Sequence, residues 1–260
     1  MALWVWRESG TLPRVTADDH TVLLDLLVNE RQTAHTEAVR IRNHIHGLLL
    51  QIDPQYAEHL PTLATQQGLA ALLQYDNTQT PIKHARAAAV RRAALRLKLA
   101  LDQVAELTAR IRELAQAAGL EPLTRLCGIN LLTAAALAGI LGPGMRFASD
   151  ADLAAYAGTA PLEASSAGAV RHRLNRGGNR QLNAIVHRIA VTQARHATDA
   201  RAYLERRRAD GKSTREALRA LKRFVVRRIW HLWMECLATS PHLSAPNEPL
   251  HIGASGRPPA

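Results

Sequence analysis

Apolar residues recur at helical spacing over two long stretches of the chain. In the first stretch they repeat at intervals of four, three and four residues, at Ile41, Ile45, Leu48 and Ile52. Such a seam predicts a long helix from about residue 16 to about residue 50. Thr16 with Asp19 is similar to a capping box and predicts the start of this helix. The dipeptide Asp53-Pro54 predicts its end, because proline cannot continue a helix.

The second stretch carries a seven-residue repeat. Its leading positions are Val90, Leu97, Val104 and Ile111, and Leu101, Leu107 and Leu114 lie beside them. Heptad spacing predicts a helix from Pro81 to about residue 118 and favours a coiled-coil arm. The two long helices could pair as an antiparallel hairpin, form a dimer interface, or pack as an ordinary helical core. Residues 54–81 are predicted to be a linker with one short helix, GLAALLQY.

A segment rich in small residues follows, LTRLCGINLLTAAALAGILG, at residues 123–142. A short helix, a tight turn at Gly128 and a helix from Leu131 predict a unit similar to a helix-hairpin-helix. In such a turn, backbone N–H groups at the start of the second helix can hold a phosphate. An ordinary corner between two helices is the alternative, and the local sequence slightly favours it. Gly142-Pro143-Gly144 predicts a break after this unit.

Capping residues predict the starts of the remaining helices. Ser149 precedes a short helix that is expected to end at Gly158. Asn179 precedes a helix to about residue 196, and RAYLERRRADG predicts another. Ser213 with Glu216 matches a full capping box for the last helix, which is expected to end near residue 237.

Little of the chain suggests strands. Only residues 170–174 are a candidate for a short hairpin edge, and the Pro/Gly-rich tail from residue 240 is predicted to be disordered. Alanine is abundant and aromatic residues make up only 4% of the chain, which favours helix packing. The predicted fold class is mainly α, with a long helical arm followed by a compact helical domain.

The positive charge is concentrated in one segment. The 260 residues have a formal net charge of +11, and residues 165–230 contain 17 Lys/Arg against 4 Asp/Glu. This bias predicts a face that binds a polyanion such as nucleic acid. A membrane surface is the rival polyanion, but no run approaches the roughly 20 apolar residues of a spanning helix. The two cysteines, Cys127 and Cys236, form no CxxC pair, and no metal site is predicted.

The most distinctive chemistry lies in the segment from Gly158 to Asn183, GTAPLEASSAGAVRHRLNRGGNRQLN. It combines Ser165 and Ser166 with four arginines. Guanidinium groups match the geometry of phosphate, and an activated hydroxyl can attack phosphorus. A basic surface loop without catalysis is an equally weighted alternative.

Four stretches together resemble the bridge-RNA-guided insertion-sequence transposases. They are RIRNHIHGLL (40–49), LCGINLLTA (126–134), RFASDADLAAYAGTAPLEASS (146–166) and RHRLNRGGNRQLN (171–183). That family joins an N-terminal RuvC-like DEDD domain to a C-terminal transposase domain that bears a catalytic serine. The resemblance covers roughly residues 10–238.

The resemblance implies a domain order and a catalytic residue. Residues 1–15 would be the remnant of the catalytic DEDD domain, 16–118 the helical arm, 119–238 the transposase domain and 239–260 a disordered tail. The catalytic serine falls on Ser166 or its neighbour Ser165; we prefer Ser166. The family usually has glycine directly after the serine, where Ala167 stands here. In the hairpin, Asn130 replaces a glycine, and asparagine tolerates left-handed geometry.

Basic residues of this segment and of the last two long helices are the candidate nucleic-acid contacts. They are Arg171, Arg173, Arg176, Arg180, Arg188, Lys222 and Arg223. The resemblance implies DNA and a guide RNA as partners and a homo-oligomer through the helical arm. It also implies a bacterial cytoplasmic location at the nucleoid. The family uses Mg²⁺ in the DEDD domain, so no cofactor is expected in this chain, which we expect to be N-terminally truncated.

Three functions follow from these features. The first is a transposase whose serine attacks a DNA phosphodiester. The second is a non-catalytic remnant that binds DNA or RNA and dimerises. The third is an interaction protein that uses the long helices, with its charge incidental. A covalent link to DNA would distinguish the first, and salt-sensitive binding alone would indicate the second.

Overall fold

A computed structural model describes residues 19–160, 162–163, 172–173 and 177–243. The described part is mainly helical, which confirms the predicted fold class. In chain order its helices are α1 (His20–Ile52), α2 (Tyr56–His59), α3 (Gln66–Leu73), α4 (Pro81–Ala117), α5 (Glu121–Thr124), α6 (Leu131–Leu141), α7 (Asp150–Tyr156), α8 (Arg180–His196), α9 (Thr198–Ala209) and α10 (Thr214–Thr239). Two short strands, β1 (Leu162–Glu163) and β2 (His172–Arg173), pair antiparallel.

The chain separates into two compact units. One, the hairpin unit, is Leu24–Ala117, and the other, the second unit, contains the start of α1 up to Leu23 and the chain from Ala118 onward. The predicted division into four domains, with a transposase domain at 119–238 and a tail from 239, stays a prediction. At the carboxyl end of the described chain, Leu243 is buried and its carbonyl accepts a hydrogen bond of 3.1 Å from the Gly144 N–H.

Two long antiparallel helices, α1 and α4, build the hairpin unit. Near one end Arg31 Nε donates to Thr108 Oγ1 at 2.6 Å, and near the other Arg86 Nη1 donates to the Gln51 carbonyl at 3.0 Å. The apolar seams meet between them, and the core residues they contribute are Ala38, Ile41, Ile45, Leu49, Ile52, Val90, Ala93, Ala94, Leu97 and Ala100. The structure therefore pairs the two helices within one chain, and a supercoil or an oligomer contact stays a prediction.

The segment between these helices contains the predicted short helix, as α3, but it packs into the core and does not only link the two helices. Leu63 and Leu72 are buried against the α1–α4 seam. At α3, a Cβ on Gly68 would lie 2.2 Å from the Thr62 carbonyl oxygen, so the backbones touch. Arg91 Nη1 also donates to the Tyr75 carbonyl at 2.7 Å and ties the end of the segment to α4. The segment has no regular apolar repeat, but its large apolar residues Leu63 and Leu72 fill the space beside the helix pair.

The last helix, α10, is the centre of the second unit. It contacts α5, α7, α8 and α9. Its buried positions follow one continuous side and are Ala217, Leu221, Val225, Val226, Ile229, Leu232, Trp233 and Cys236. The other side carries Arg219 and Arg227, which are both exposed, so the helix has a basic side and an apolar side.

Most predicted helix starts are confirmed by capping hydrogen bonds. Ser149, Asn179 and Ser213 each accept a backbone N–H from the first turn of α7, α8 and α10 respectively, and Ser213 forms a full capping box with Glu216. The start of α1 differs from the prediction, because Asp19 itself is the cap and accepts the N–H groups of Thr21 and Val22 at 2.8 and 3.0 Å. Thr16 lies outside the described residues.

The turn at Gly128 is present, but Asn130 plays a different role from the one predicted. Gly128 has a φ of 94°, a conformation that favours glycine. Asn130 has an extended backbone with a φ of −104°, so the expectation of a left-handed asparagine was wrong. Its side chain instead caps α6 by accepting the Thr133 N–H at 2.9 Å. One of the backbone donors that could meet a phosphate is therefore occupied.

Every described helix is too short or too polar to span a lipid bilayer.

Candidate nucleic-acid interface

The two ends of the serine segment are held together at one place in the fold, which we call the neck (residues 156–158 and 178–183). The Asn179 N–H donates to the Tyr156 carbonyl at 2.7 Å. The Asn179 amide also donates to the Tyr156 hydroxyl at 3.0 Å, and the Asn183 amide donates to the Ala157 carbonyl at 2.7 Å. The end of α7 and the start of α8 are thus joined by three hydrogen bonds across 23 or more residues of sequence.

Two glycines make this contact possible. A Cβ on Gly178 would lie 2.3 Å from the Gly158 nitrogen and 2.5 Å from its Cα. Gly158 has a φ of 65°, which also favours glycine. The two backbones therefore touch directly. Gly178 cannot accommodate a side chain without a shift, and Gly158 has a backbone conformation that other residues rarely adopt.

Beyond the neck, β1 and β2 pair across the segment. Leu162 lies opposite Arg173, and Glu163 lies opposite His172. This confirms the predicted hairpin edge at residues 170–174. For Arg173 the backbone alone is described. Ser165, Ser166, Arg171 and Arg176 lie outside the described residues, so their roles stay predictions.

Three of the predicted cations lie at the neck or on the helix that begins there. Arg180 is the first residue of α8 and is exposed. Lys222 Nζ on α10 donates to Asn183 Oδ1 at 2.7 Å, which brings this cation against the neck. Arg188 is exposed on α8, about 12 Å along the axis from Arg180 at 1.5 Å per residue. Burial lowers the pKa of Lys222, and the nearby charge of Arg219 lowers it further.

The fourth described cation, Arg223, is engaged within the chain. Its Nη1 contacts Asp150 Oδ2 at 3.1 Å and the Asp150 carbonyl at 3.3 Å, and its side chain is only 28% exposed. Arg227 Nε reaches the same carboxylate at 2.9 Å. The hydrogen bond from Arg227 and the charge of Arg223 hold the pKa of Asp150 below its ordinary value. This pair of contacts attaches α10 to the first turn of α7, the helix that ends at the neck.

Sequence reasoning missed two residues that build this site. Asp150 directly follows the predicted cap Ser149, and its partners lie 73 and 77 residues away. Arg146 lies over the rings of Phe147 and Tyr156, at 5.3 and 5.0 Å from the ring centroids. Its Nη1 also donates to the Ile140 carbonyl at 3.1 Å. The only local signal for Arg146 was its aromatic neighbour.

No metal site accompanies the neck in the part of the chain that the structure describes. There, no three His, Cys, Asp or Glu side chains come together in a way that could hold an ion. Described side chains at the site thus offer hydrogen-bond donors and positive charge, which suit a phosphate-bearing ligand.

Comparison with known proteins gives two matches. Residues 120–205 match the family described as Transposase IS116/IS110/IS902 family, and this range includes the Gly128 turn and the whole neck. The chain is also 30% identical over 248 residues to a Streptomyces coelicolor protein described as an uncharacterized 43.6 kDa protein of insertion element IS110. That alignment covers 79% of this chain and 61% of the relative, so the chain spans about three-fifths of the relative's length.

Proposed function

Because residues 120–205 match the Transposase IS116/IS110/IS902 family, we propose that this chain acts on DNA as an insertion-sequence transposase. In this proposal the face formed by the neck, the start of α8 and α10 binds the DNA backbone. The hydroxyl of Ser166, or of its neighbour Ser165, attacks a DNA phosphodiester.

The neck is the observation that carries the proposal. A nucleophile must be held close to the phosphate that it attacks, and correct positioning can supply much of the rate enhancement. The hydrogen bonds between Asn179 and Tyr156 hold both ends of the segment that contains the serines. Arg180 follows at once on α8, so a cation and both ends of the segment share one location.

The chemistry would be a transfer of the phosphoryl group from DNA to the serine. The serine oxygen forms a bond to phosphorus while the bond from phosphorus to one deoxyribose oxygen breaks. The serine gives up its proton to a base, and the released sugar oxygen takes up a proton as a hydroxyl. The phosphodiester bond is exchanged for a phosphoserine ester, so a second DNA end can later reverse the step. Arginines near the phosphate would stabilise the charge that develops in the transition state.

Each described cation has a distinct role in this proposal. Arg180 and Arg188 contact phosphates directly. Lys222 uses one N–H for Asn183 and keeps two further donors for a phosphate, since an ammonium has three. Arg223 acts mainly by holding α7 through Asp150 and so positions the neck. Arg171, Arg173 and Arg176 complete the phosphate contacts.

The remaining partners belong to the same proposal. A guide RNA would select the DNA, and a second copy would join through α1 and α4. Mg²⁺ chemistry would come from groups other than the side chains described around the neck.

A DNA-binding assay and an adduct assay on the full chain test the proposal. Binding to a random-sequence duplex pool should weaken with salt, with a log–log slope of about −0.9 per neutralised phosphate. Arg180→Gln should reduce that slope by about one such unit. Labelled DNA should migrate with the protein on a denaturing gel, and Ser166→Ala should abolish this adduct while Ser165→Ala keeps it.

Two results would overturn parts of the proposal separately. Salt-sensitive binding by wild type without any adduct would indicate the non-catalytic binding module. A salt slope that Arg180→Gln leaves unchanged would remove the neck from the DNA-binding face. Arg110→Gln, an exposed arginine on α4 in the hairpin unit, serves as the matched control.

A further inference from the structure

Two aromatic rings lie together on the outside of the second unit. Tyr203 on α9 and Phe224 on α10 have centroids 5.1 Å apart with their planes at 74°. Phe224 is 51% exposed. A perpendicular neighbour covers at most one face of a ring, so part of the Phe224 surface is open to a flat ligand.

The rings stand among cations rather than in an apolar patch. The Arg206 guanidinium lies 5.5 Å above the Tyr203 ring. One turn beyond Phe224 on α10 are Arg227 and Arg228, both exposed. Residues 198–239 as a whole carry eleven Lys/Arg against five Asp/Glu.

These surroundings discriminate between possible ligands. Aromatic residues and arginine are enriched at protein–protein interfaces too, but the excess of eleven Lys/Arg over five Asp/Glu in residues 198–239 favours a polyanionic ligand. Exposed aromatic rings bordered by arginines are typical of sites where unpaired bases stack and the adjoining phosphates meet cations. A duplex offers no free base face, since its bases are stacked on each other.

We propose that Tyr203, Arg206 and Phe224 form a stacking platform for an unpaired DNA base. Phe224 stacks on the base, and Arg206 and Arg228 contact the phosphates on either side of it. The platform would hold a single-stranded or locally unpaired stretch of DNA that extends from the site at the neck. This inference rests on the DNA-binding part of the proposed function and not on the serine chemistry.

A base analogue gives a direct readout. A single-stranded oligonucleotide carrying 2-aminopurine should show quenched fluorescence on binding to the full chain, because stacking on an aromatic ring quenches this base. Phe224→Ala should remove the quenching and weaken single-strand binding about 5- to 150-fold, the range that base–aromatic stacking gives at about 1.4 kcal/mol per tenfold. Binding to a duplex of the same length should stay within about twofold of wild type, since no base stacks there.

Two further variants separate stacking from a general loss of structure. Phe224→Trp keeps an aromatic face and should restore both the quenching and the affinity. Leu99→Ala removes a side chain that is 61% exposed in the hairpin unit and should change neither.

Several outcomes would overturn the inference. Equal weakening of single-strand and duplex binding by Phe224→Ala would show a role without stacking. Quenching by a 2-aminopurine RNA but not by its DNA counterpart would assign the platform to RNA. Sedimentation that changes from dimer to monomer in Phe224→Ala would assign the surface to a second copy. If wild type bound neither single-stranded nor duplex DNA, the proposed function itself would fail. Normal duplex binding, together with quenching and single-strand affinity that Phe224→Ala leaves unchanged, would reject the platform alone.

Discussion

Replacing Gly178 with alanine is the sharpest test of the neck. The added Cβ would lie 2.3 Å from the Gly158 nitrogen and 2.5 Å from its Cα. Both are backbone atoms, so no side chain can rotate away to make room. The two ends of the serine segment must therefore separate by about 1 Å or more to reach ordinary contact distances near 3.5 Å.

Two estimates of the cost agree. Overpacking a well-packed site typically costs about 1–3 kcal/mol. If the neck opens instead, it loses the three hydrogen bonds that join Asn179 to Tyr156 and Asn183 to Ala157, at about 1 kcal/mol each. We therefore expect Gly178→Ala to lower the free energy of unfolding of the second unit by about 2–3 kcal/mol.

Pulsed hydrogen exchange at increasing urea concentration, detected by mass spectrometry, measures the free energy of unfolding of each unit separately. With a urea m-value of about 1–3 kcal/mol/M, the unfolding midpoint of α7 and α8 should fall by roughly 0.7–3 M. Peptides from the hairpin unit should keep their wild-type midpoint. DNA binding in the absence of urea should weaken as well, because the neck positions Arg180.

Two glycines provide matched controls. Gly68→Ala places a Cβ 2.2 Å from the Thr62 carbonyl oxygen and should destabilise the hairpin unit by a similar amount while leaving DNA binding intact. Gly47 lies inside α1 with nothing within 4 Å of its added Cβ, so Gly47→Ala should stabilise by about 0.5–1 kcal/mol. A Gly178→Ala protein as stable as wild type would refute the close contact of the two backbones.

Two further predictions concern titratable groups of the second unit. Because its folded pKa is lowered, Asp150 contributes stability above the ordinary aspartate pKa of about 3.9, and this contribution is lost as the pH falls through the lowered value. Asp150→Asn should therefore lower the Tm at pH 7, and the difference should shrink in acid; a constant difference down to pH 3 would contradict this reasoning. Burial raises the pKa of the Cys236 thiol to about 11, whereas Cys127 is exposed. Iodoacetamide at pH 8 should modify Cys127 in the native protein and reach Cys236 only after unfolding, as peptide mass mapping would detect.

The candidate site was predicted in part. The basic character of Arg180, Arg188 and Lys222 could be read from the chain, because charge and helical spacing are visible in one dimension. The hydrogen bond from Lys222 to Asn183 could not, since these residues lie 39 positions apart. Arg223 looked like another phosphate contact, yet its partner Asp150 lies 73 residues away on a different helix.

What the sequence determined by itself was local. The helix starts at Ser149, Asn179 and Ser213 depend on a side chain and an N–H three residues later, so a short window contains the whole interaction. The mainly helical class follows from apolar periodicity for the same reason.

Tertiary structure alone decided which distant parts meet. The contact of Gly158 with Gly178 and the burial of Leu63 and Leu72 against the α1–α4 seam depend on how helices pack, and many packings satisfy the same apolar pattern. Asn130 shows the same limit at short range: its residue type permits either a left-handed turn or a helix cap, and the position of α6 selected the cap.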